Sequence, residues 1–247
     1  MAREQRRPRR EDPPFDKETW KPKTSLAKEV KAGTITHIDQ ILDNGLSILE
    51  PGIVDALMTN TSTELLLVGQ SKGKFGGGQR RVFRQTQKKT REGNKPRFAT
   101  YCIIGDKDGH VGLGYGKSKE TVPAREKSTR RAKLNMIKIR RGCGSWQDTA
   151  QEPNSIPFKV EGKCGSCKIT LLPAARGTGL KIEKECAKML KIAGIKDIIS
   201  ITKGKTKTKI NLLEACFDAL KQLIQVKVQK DQESIVGMVE GSKEVAQ

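Results

Sequence analysis

Long apolar runs are missing from this 247-residue chain, and so are most of the side chains that carry out chemistry in enzymes. No stretch of about 18 apolar residues is present to cross a membrane. The N-terminus is polar and basic, without the apolar centre of a secretion signal, so the expected location is the cytosol. No basic amphipathic helix with large apolar anchors is present either, and no membrane partner is expected. Histidine occurs only as His37 and His110. No Ser-His-Asp or Cys-His spacing stands out, no carboxylate cluster suggests a metal, and no enzymatic activity is expected. Cys164-Gly165-Ser166-Cys167 has the spacing of half a zinc site and Cys143 could join it, but a closed site needs four ligands and neither histidine forms a ligand-like pair with a further cysteine. The six cysteines are therefore read as reduced and buried, with no metal and no other cofactor.

What is abundant is positive charge. Lys and Arg number 48 against 28 Asp and Glu, a formal net charge of +20, while aromatic residues make up 4%. Such an excess repels itself unless a polyanion neutralises it, which makes nucleic acid the leading partner. The charge is also unevenly placed. From Gln70 to Arg97 ten cations, Lys72, Lys74, Arg80, Arg81, Arg84, Lys88, Lys89, Arg91, Lys95 and Arg97, face the single acid Glu92. Gly76-Gly77-Gly78 lies among them, and backbone amides freed by glycine beside cations form a phosphate cradle.

Next comes RFATYCIIGDKDGHVGLGYGKSKE (97–120), read as a β-hairpin: an apolar strand over Phe98–Ile104, a turn at 105–109 and a return strand over Val111–Tyr115. Gly112, Gly114 and Gly116 leave one face of the return strand without side chains, so another backbone, of protein or nucleic acid, can approach closely. The P-loop that this glycine run suggests is rejected, because Val111 stands where its first glycine is required. Lys117 and Lys119 add charge at the exit. A helix is predicted over 120–138, with Ala124, Ser128 and Ala132 as a small-residue stripe for packing on a sheet and Arg125, Lys127, Arg130, Arg131 and Lys133 on its other faces. With a polar-rich strand over Val82–Thr90 ahead of the hairpin, three antiparallel strands followed by one helix resemble the second half of a double-stranded-RNA-binding domain.

Around this unit the chain divides by composition. Residues 1–24, with five arginines and four prolines, read as a disordered basic tail. Residues 25–81 read as short amphipathic helices, with Thr34 as a cap and Glu50-Pro51 starting the last one, followed by an apolar strand at 65–68 and the basic glycine-rich hairpin. The RNA-binding domain takes 82–146, with a further strand at 137–141, and a polar linker takes 147–155. A two-layer α/β domain follows over 156–226: strands at 156–160 and 168–172, a loop containing Arg176-Gly177-Thr178-Gly179 that opens a helix and could hold a phosphate, a strand at 198–202, a basic loop with Lys203, Lys205 and Lys207, and a long final helix. The tail, 227–247, shows no period and is expected to fray. The fold class is α+β.

GGGQRRVFRQTQKKTREGNKPRF, GDKDGHVGLGYGKSKE, RRGCGSW, SIPFKVEGKCGS and LPAARGTGL, in this order, resemble the universal small-ribosomal-subunit protein family called S-five, S-two in eukaryotes. The match runs from about Val82 to Leu223 and its wording is closest to archaeal members. Residues 26–68 look like the archaeal and eukaryotic extension. The resemblance implies a dsRBD-like N-terminal domain and a C-terminal domain typical of the family, with a left-handed β-α-β crossover. It implies binding to small-subunit rRNA where messenger RNA (mRNA) enters its channel, beside proteins of the S-four and S-eight families, with effects on mRNA unwinding and decoding accuracy. The segment Lys88–Arg97 matches the hairpin loop that borders the spectinomycin site in bacterial relatives. A free double-stranded-RNA-binding regulator is the alternative to a structural role in the subunit.

Overall fold

A computed structural model of the chain describes residue 17 and residues 19–71, 78–145, 152–229 and 236–242. Three short helices come first: α1 (Ser25–Ala32), α2 (Ile38–Asp43) and α3 (Pro51–Leu57). Thr24 caps α1 by accepting from the Ala27 amide at 3.3 Å, and Gly33 ends it in the left-handed conformation at φ +86°. Thr34 does not cap the second helix. It sits just past the end of α1 and donates its hydroxyl to the Glu29 carbonyl at 2.9 Å, while His37 precedes α2 without a side-chain cap. The basic tail is described only at its end, where it is held rather than free. The Glu50 carboxylate accepts from the Lys23 and Thr24 amides, and Lys31 donates to the Trp20 carbonyl at 2.6 Å. Trp20 packs against the apolar side of these helices, which contributes the burial that a composition of charge and proline conceals.

Strand β1 (Ser62–Leu65) pairs antiparallel with β3 (Gly93–Gly105) at an edge of the first sheet. The apolar stretch expected to be this strand, 65–68, mostly follows it: Leu66 and Val68 are buried in a core, so their apolarity reports burial rather than pairing. Strand β2 (Arg84–Thr90) pairs with the first half of β3, and β4 (His110–Ser118) with the second half. Helix α4 (Thr121–Leu134) follows, then β5 (Met136–Lys138), which closes the sheet beside β4, and β6 (Arg140–Arg141). The predicted helix 120–138 thus ends four residues early, and its last apolar positions belong to a strand.

The second sheet contains β7 (Val160–Cys164), β8 (Cys167–Pro173), β9 (Leu180–Lys181) and β10 (Ile198–Lys203) in the order β7-β8-β10-β9, with helices α5 (Lys184–Ile192) and α6 (Lys209–Gln225). Strand β7 lies four residues beyond the predicted 156–160, and the Cys-Gly-Ser-Cys segment is the turn between β7 and β8. β9 and β10 are parallel and flank α5, forming a β-α-β unit. The tail beyond residue 227 returns to the body: β11 (Val239–Glu240) pairs with β6.

Strand β3 shows how these parts join. Alternate residues of a strand point to opposite faces. Cys102 and Ile104 enter a core shared with α1, α2 and α3, whereas Tyr101 and Ile103 enter a larger core that also contains Leu171 of β8, Met189 of α5 and Phe217 of α6. The first sheet is covered on both sides. The glycine face of β4 meets α4: an added Cβ at Gly112, Gly114 or Gly116 would overlap the backbone at Ala132, Ser128 or Ala124. The close approach those glycines permit is therefore made by the protein's own helix, not by nucleic acid, and the small-residue stripe is its other half. Gly162 and α6 repeat the device in the second sheet, where a Cβ would run into Ala215 and Ala219.

Candidate nucleic-acid interface

With both faces of the first sheet covered, the cations gather on its projections. The segment Lys88–Arg97, expected as a loop, is instead most of a two-stranded arm. β2 and β3 stay paired out to Thr90 and Gly93, and Arg91 and Glu92 form the tip. Gly93, at φ +114°, takes a backbone conformation closed to ordinary side chains. Arg84, Lys88, Lys89, Arg91, Lys95 and Arg97 are all exposed on this arm. Lys88 stands directly across from Lys95. Like charges at that position weaken a sheet unless something neutralises them, and the Glu92 carboxylate 2.8 Å from Lys95 does so only in part.

At the base of the arm Arg97, Lys117 and Lys119 line one shallow depression together with Ser118, Glu120 and Pro123. Along α4, Arg130 and Arg131 are exposed and Arg125 is half-buried. Arg131 also donates to the Tyr115 carbonyl at 2.9 Å, which fixes its guanidinium against β4. A second group forms across the two sheets, where Arg80 donates to the Lys207 carbonyl at 3.4 Å and so meets the loop that carries Lys203, Lys205 and Lys207, all exposed. That loop is anchored, because its Lys205 carbonyl accepts from the Cys167 thiol at 3.1 Å. Arg81 is exposed beside Arg80. Lys72 and Lys74 lie outside the described residues. Arg176 is exposed and 3.5 Å from Glu152. The loop bearing it leads into β9 and not into a helix, and the first amides of α5 are capped by the Glu183 carboxylate, so that helix end offers no free place for phosphate.

The three cysteines of the possible zinc site are engaged one at a time. Cys164 donates to Glu214 and Cys167 to Lys205, both at 3.1 Å, and Cys143 donates to the Ser145 carbonyl at 2.9 Å. Burial, with the Glu214 carboxylate, pushes the Cys164 thiol up to about 11. All six cysteines are free. Among the described residues no group of three or more His, Cys, Asp or Glu side chains could hold a metal ion, and no helix is long and apolar enough to cross a membrane.

Sequence reasoning treated every cation as surface charge and so missed a buried set. Lys138, Arg140 and Arg141 are each buried, and so is His110. Lys138 pairs with Asp43 of α2, Arg140 with Glu240 of β11, and Arg141 with Asp108 of the β3–β4 turn at 2.6 Å. Arg140 also donates to the Val226 carbonyl at 2.8 Å, just past α6. His110 lies between two carboxylates, Asp106 at 2.5 Å and Asp39 at 2.7 Å. Burial disfavours its charged form, yet the hydrogen bonds and charges of Asp106 and Asp39 outweigh burial and raise its pKa to about 9. The alternation of Ile137, Lys138 and Ile139 reads as a strand with Lys138 turned to solvent, so it gave no hint of that burial. Of the acids that complete the set only Asp106 is local, four residues from His110; Asp39, Asp43, Asp108 and Glu240 lie far along the chain from the cations they pair with.

The sequence profile described as "Ribosomal protein S5, N-terminal domain" matches residues 82–140, and that described as "Ribosomal protein S5, C-terminal domain" matches residues 162–233. The chain is 49% identical over 225 residues to the small ribosomal subunit protein uS5 of Nanoarchaeum equitans, covering 91% of this chain and 96% of that one. The chain belongs to the ribosomal protein S5 family. Methanococcus maripaludis uS5 is 41% identical over 241 residues, 98% of this chain and 99% of its own, and Methanocaldococcus jannaschii uS5 is 40% identical over 227 residues, 92% and 98%. The Methanococcus alignment is long enough to take in helices α1, α2 and α3, so the extension is part of the likeness to archaeal S5 proteins. The S5 family is non-enzymatic. The fold described above is its α+β architecture, a dsRBD-like N-terminal domain and a C-terminal domain preceded by helices.

Proposed function

We propose that this chain is a structural component of the small ribosomal subunit that binds small-subunit rRNA where mRNA enters its channel, beside neighbours of the S-four and S-eight families. In this role it supports subunit assembly, mRNA handling and decoding accuracy. The observation that carries the reading is the β2–β3 arm, which projects six exposed cations and places Lys88 across from Lys95, an arrangement that a polyphosphate stabilises. The arm, the depression with Lys117 and Lys119, the outer face of α4 with Arg125, Arg130 and Arg131, and the Arg80–Lys207 group are the RNA contacts. Lys72, Lys74 and Arg176 complete the set. Contacts go largely to phosphate and sugar, since A-form RNA hides its base edges in a narrow major groove. The working division is the one read from composition, an RNA-binding unit over 82–146 and an α/β unit over 156–226.

Arg80→Ala with Arg81→Ala tests this reading. Binding to small-subunit rRNA weakens, and the slope of log Kobs against log salt falls by about one unit for each phosphate that is no longer neutralised. An unchanged slope contradicts the assignment of these two residues.

A further inference from the structure

Four half-buried apolar side chains come together outside both hydrophobic cores. Leu67, Val82, Phe83 and Phe98 are each half-buried, and neither core includes them. Together they line one recess of about 500 Å³. In a chain with only 4% aromatic residues, two phenylalanines in such a place call for an explanation. Strand alternation puts Phe98 on the same face as Cys102 and Ile104, but at the first residue of α4, Thr121, where the helix stops covering the sheet.

The rim of the recess is basic and amide-rich. Arg80 and Arg81 stand on it, with Gln70, Gln79 and Gln85 beside them, and among the described residues no acidic side chain lines it. The backbone beneath is fixed. The Gly69 amide donates to the Arg81 carbonyl at 2.8 Å and the Arg81 amide to the Gln70 carbonyl at 3.0 Å. Thr100 donates to the Val82 carbonyl at 3.4 Å. An apolar floor with two aromatic rings, a cationic rim and side-chain amides that both donate and accept match one chemistry, a nucleobase stacked on a ring with its phosphate held at the edge.

We propose that this recess receives one unpaired nucleobase, stacked on Phe98 with Phe83 beside it, with Arg80 and Arg81 on the adjoining phosphate and the glutamines facing the base edge. The proposal rests on the RNA-binding reading above and adds what that reading lacks, a place for a base rather than for backbone.

The test titrates the full chain into a short uridine-rich single-stranded RNA that carries one 2-aminopurine, whose fluorescence falls when it stacks. Wild type quenches the signal. Phe98→Leu, which keeps an apolar side chain and is checked for an unchanged urea midpoint, loses the quench and about tenfold in affinity. Arg80→Ala with Arg81→Ala binds more weakly and with a smaller salt slope, but still quenches at saturation. The same sequence annealed into a full duplex is bound without quenching. Binding of the single strand by wild type with no quench overturns the proposal, and this is the result a platform kept for a neighbouring protein gives. A quench that survives Phe98→Leu overturns it equally. Failure to bind either RNA removes the RNA-binding reading itself, and the pocket with it.

Discussion

Replacing Gly114 with alanine is expected to cost about 3 kcal/mol or more in folding stability, a fall of about 6–12 °C in Tm for a chain of this size. The new methyl group would overlap the Ser128 carbonyl and the Ala132 amide, with the Ala132 Cα at 2.8 Å. These are backbone atoms of a hydrogen-bonded helix, so they cannot swing aside as a side chain can. Either α4 lifts from β4 or the strand distorts, and both open the core that contains Cys102, Ile104, Ala132 and Met136. Gly142→Ala is the control, because its nearest neighbours, at 3.3 Å, are side-chain atoms of Met238 and Pro157, and it should stay within about 1 kcal/mol of wild type. Calorimetry on the two variants checks the expectation. Equal Tm values would mean that the helix does not press on the strand.

The second large effect is at His110. His110→Gln leaves the Asp39 and Asp106 carboxylates without the imidazolium between them, and removing one partner from a buried ionic group costs about 3–5 kcal/mol. The pH dependence identifies the cause. The folded pKa of about 9 lies above the unfolded value near 6.5. The histidine therefore contributes its full stabilisation below about pH 6.5 and loses it as pH rises through about 9. The total is about 3 kcal/mol, from the difference between the two pKa values. Asp39 and Asp106 behave in the opposite sense. Burial would raise each pKa, but His110 brings both below the usual carboxylate value, so their share is present above about pH 4 and is lost on acidification. Urea unfolding across the alkaline range should show wild-type stability declining toward that of His110→Gln. Parallel curves for the two proteins would contradict a charged His110.

This ionic set explains much of what the sequence left obscure. Asp39 and Asp43 belong to the N-terminal extension, Asp106 and Asp108 to the β3–β4 turn, and Glu240 to the tail. They converge on His110, Lys138, Arg140 and Arg141. Apart from Asp106, four residues from His110, local pattern cannot predict these partners, since pairs like Arg140 and Glu240 stand a hundred residues apart. Among the described residues of the tail, Val239 and Glu240 are held in the same way, paired with Arg141 and Arg140. By contrast, elements defined by local chemistry were legible: the Gly105–Gly109 turn, the proline at the start of α3, the small-residue stripe of α4 and the long final helix, α6. The glycines of β4 were recognised as a site of close approach, but sequence could not say which backbone approaches. Composition located the arm but not its form, because Arg91-Glu92-Gly93 needs only two residues to turn and the cations on either side extend as strands.

The central claim is that the exposed cations serve a particular RNA, that of the small ribosomal subunit, and not duplexes in general. Co-sedimentation of the purified chain with small subunits over a salt series, with binding to an unrelated RNA duplex measured in parallel, tests it most directly. The account predicts a complex with the subunit that survives moderate salt, while the unrelated duplex is bound more weakly and is released first. A chain that stays a free monomer at every salt concentration, or that holds the unrelated duplex as tightly as the rRNA, would contradict it.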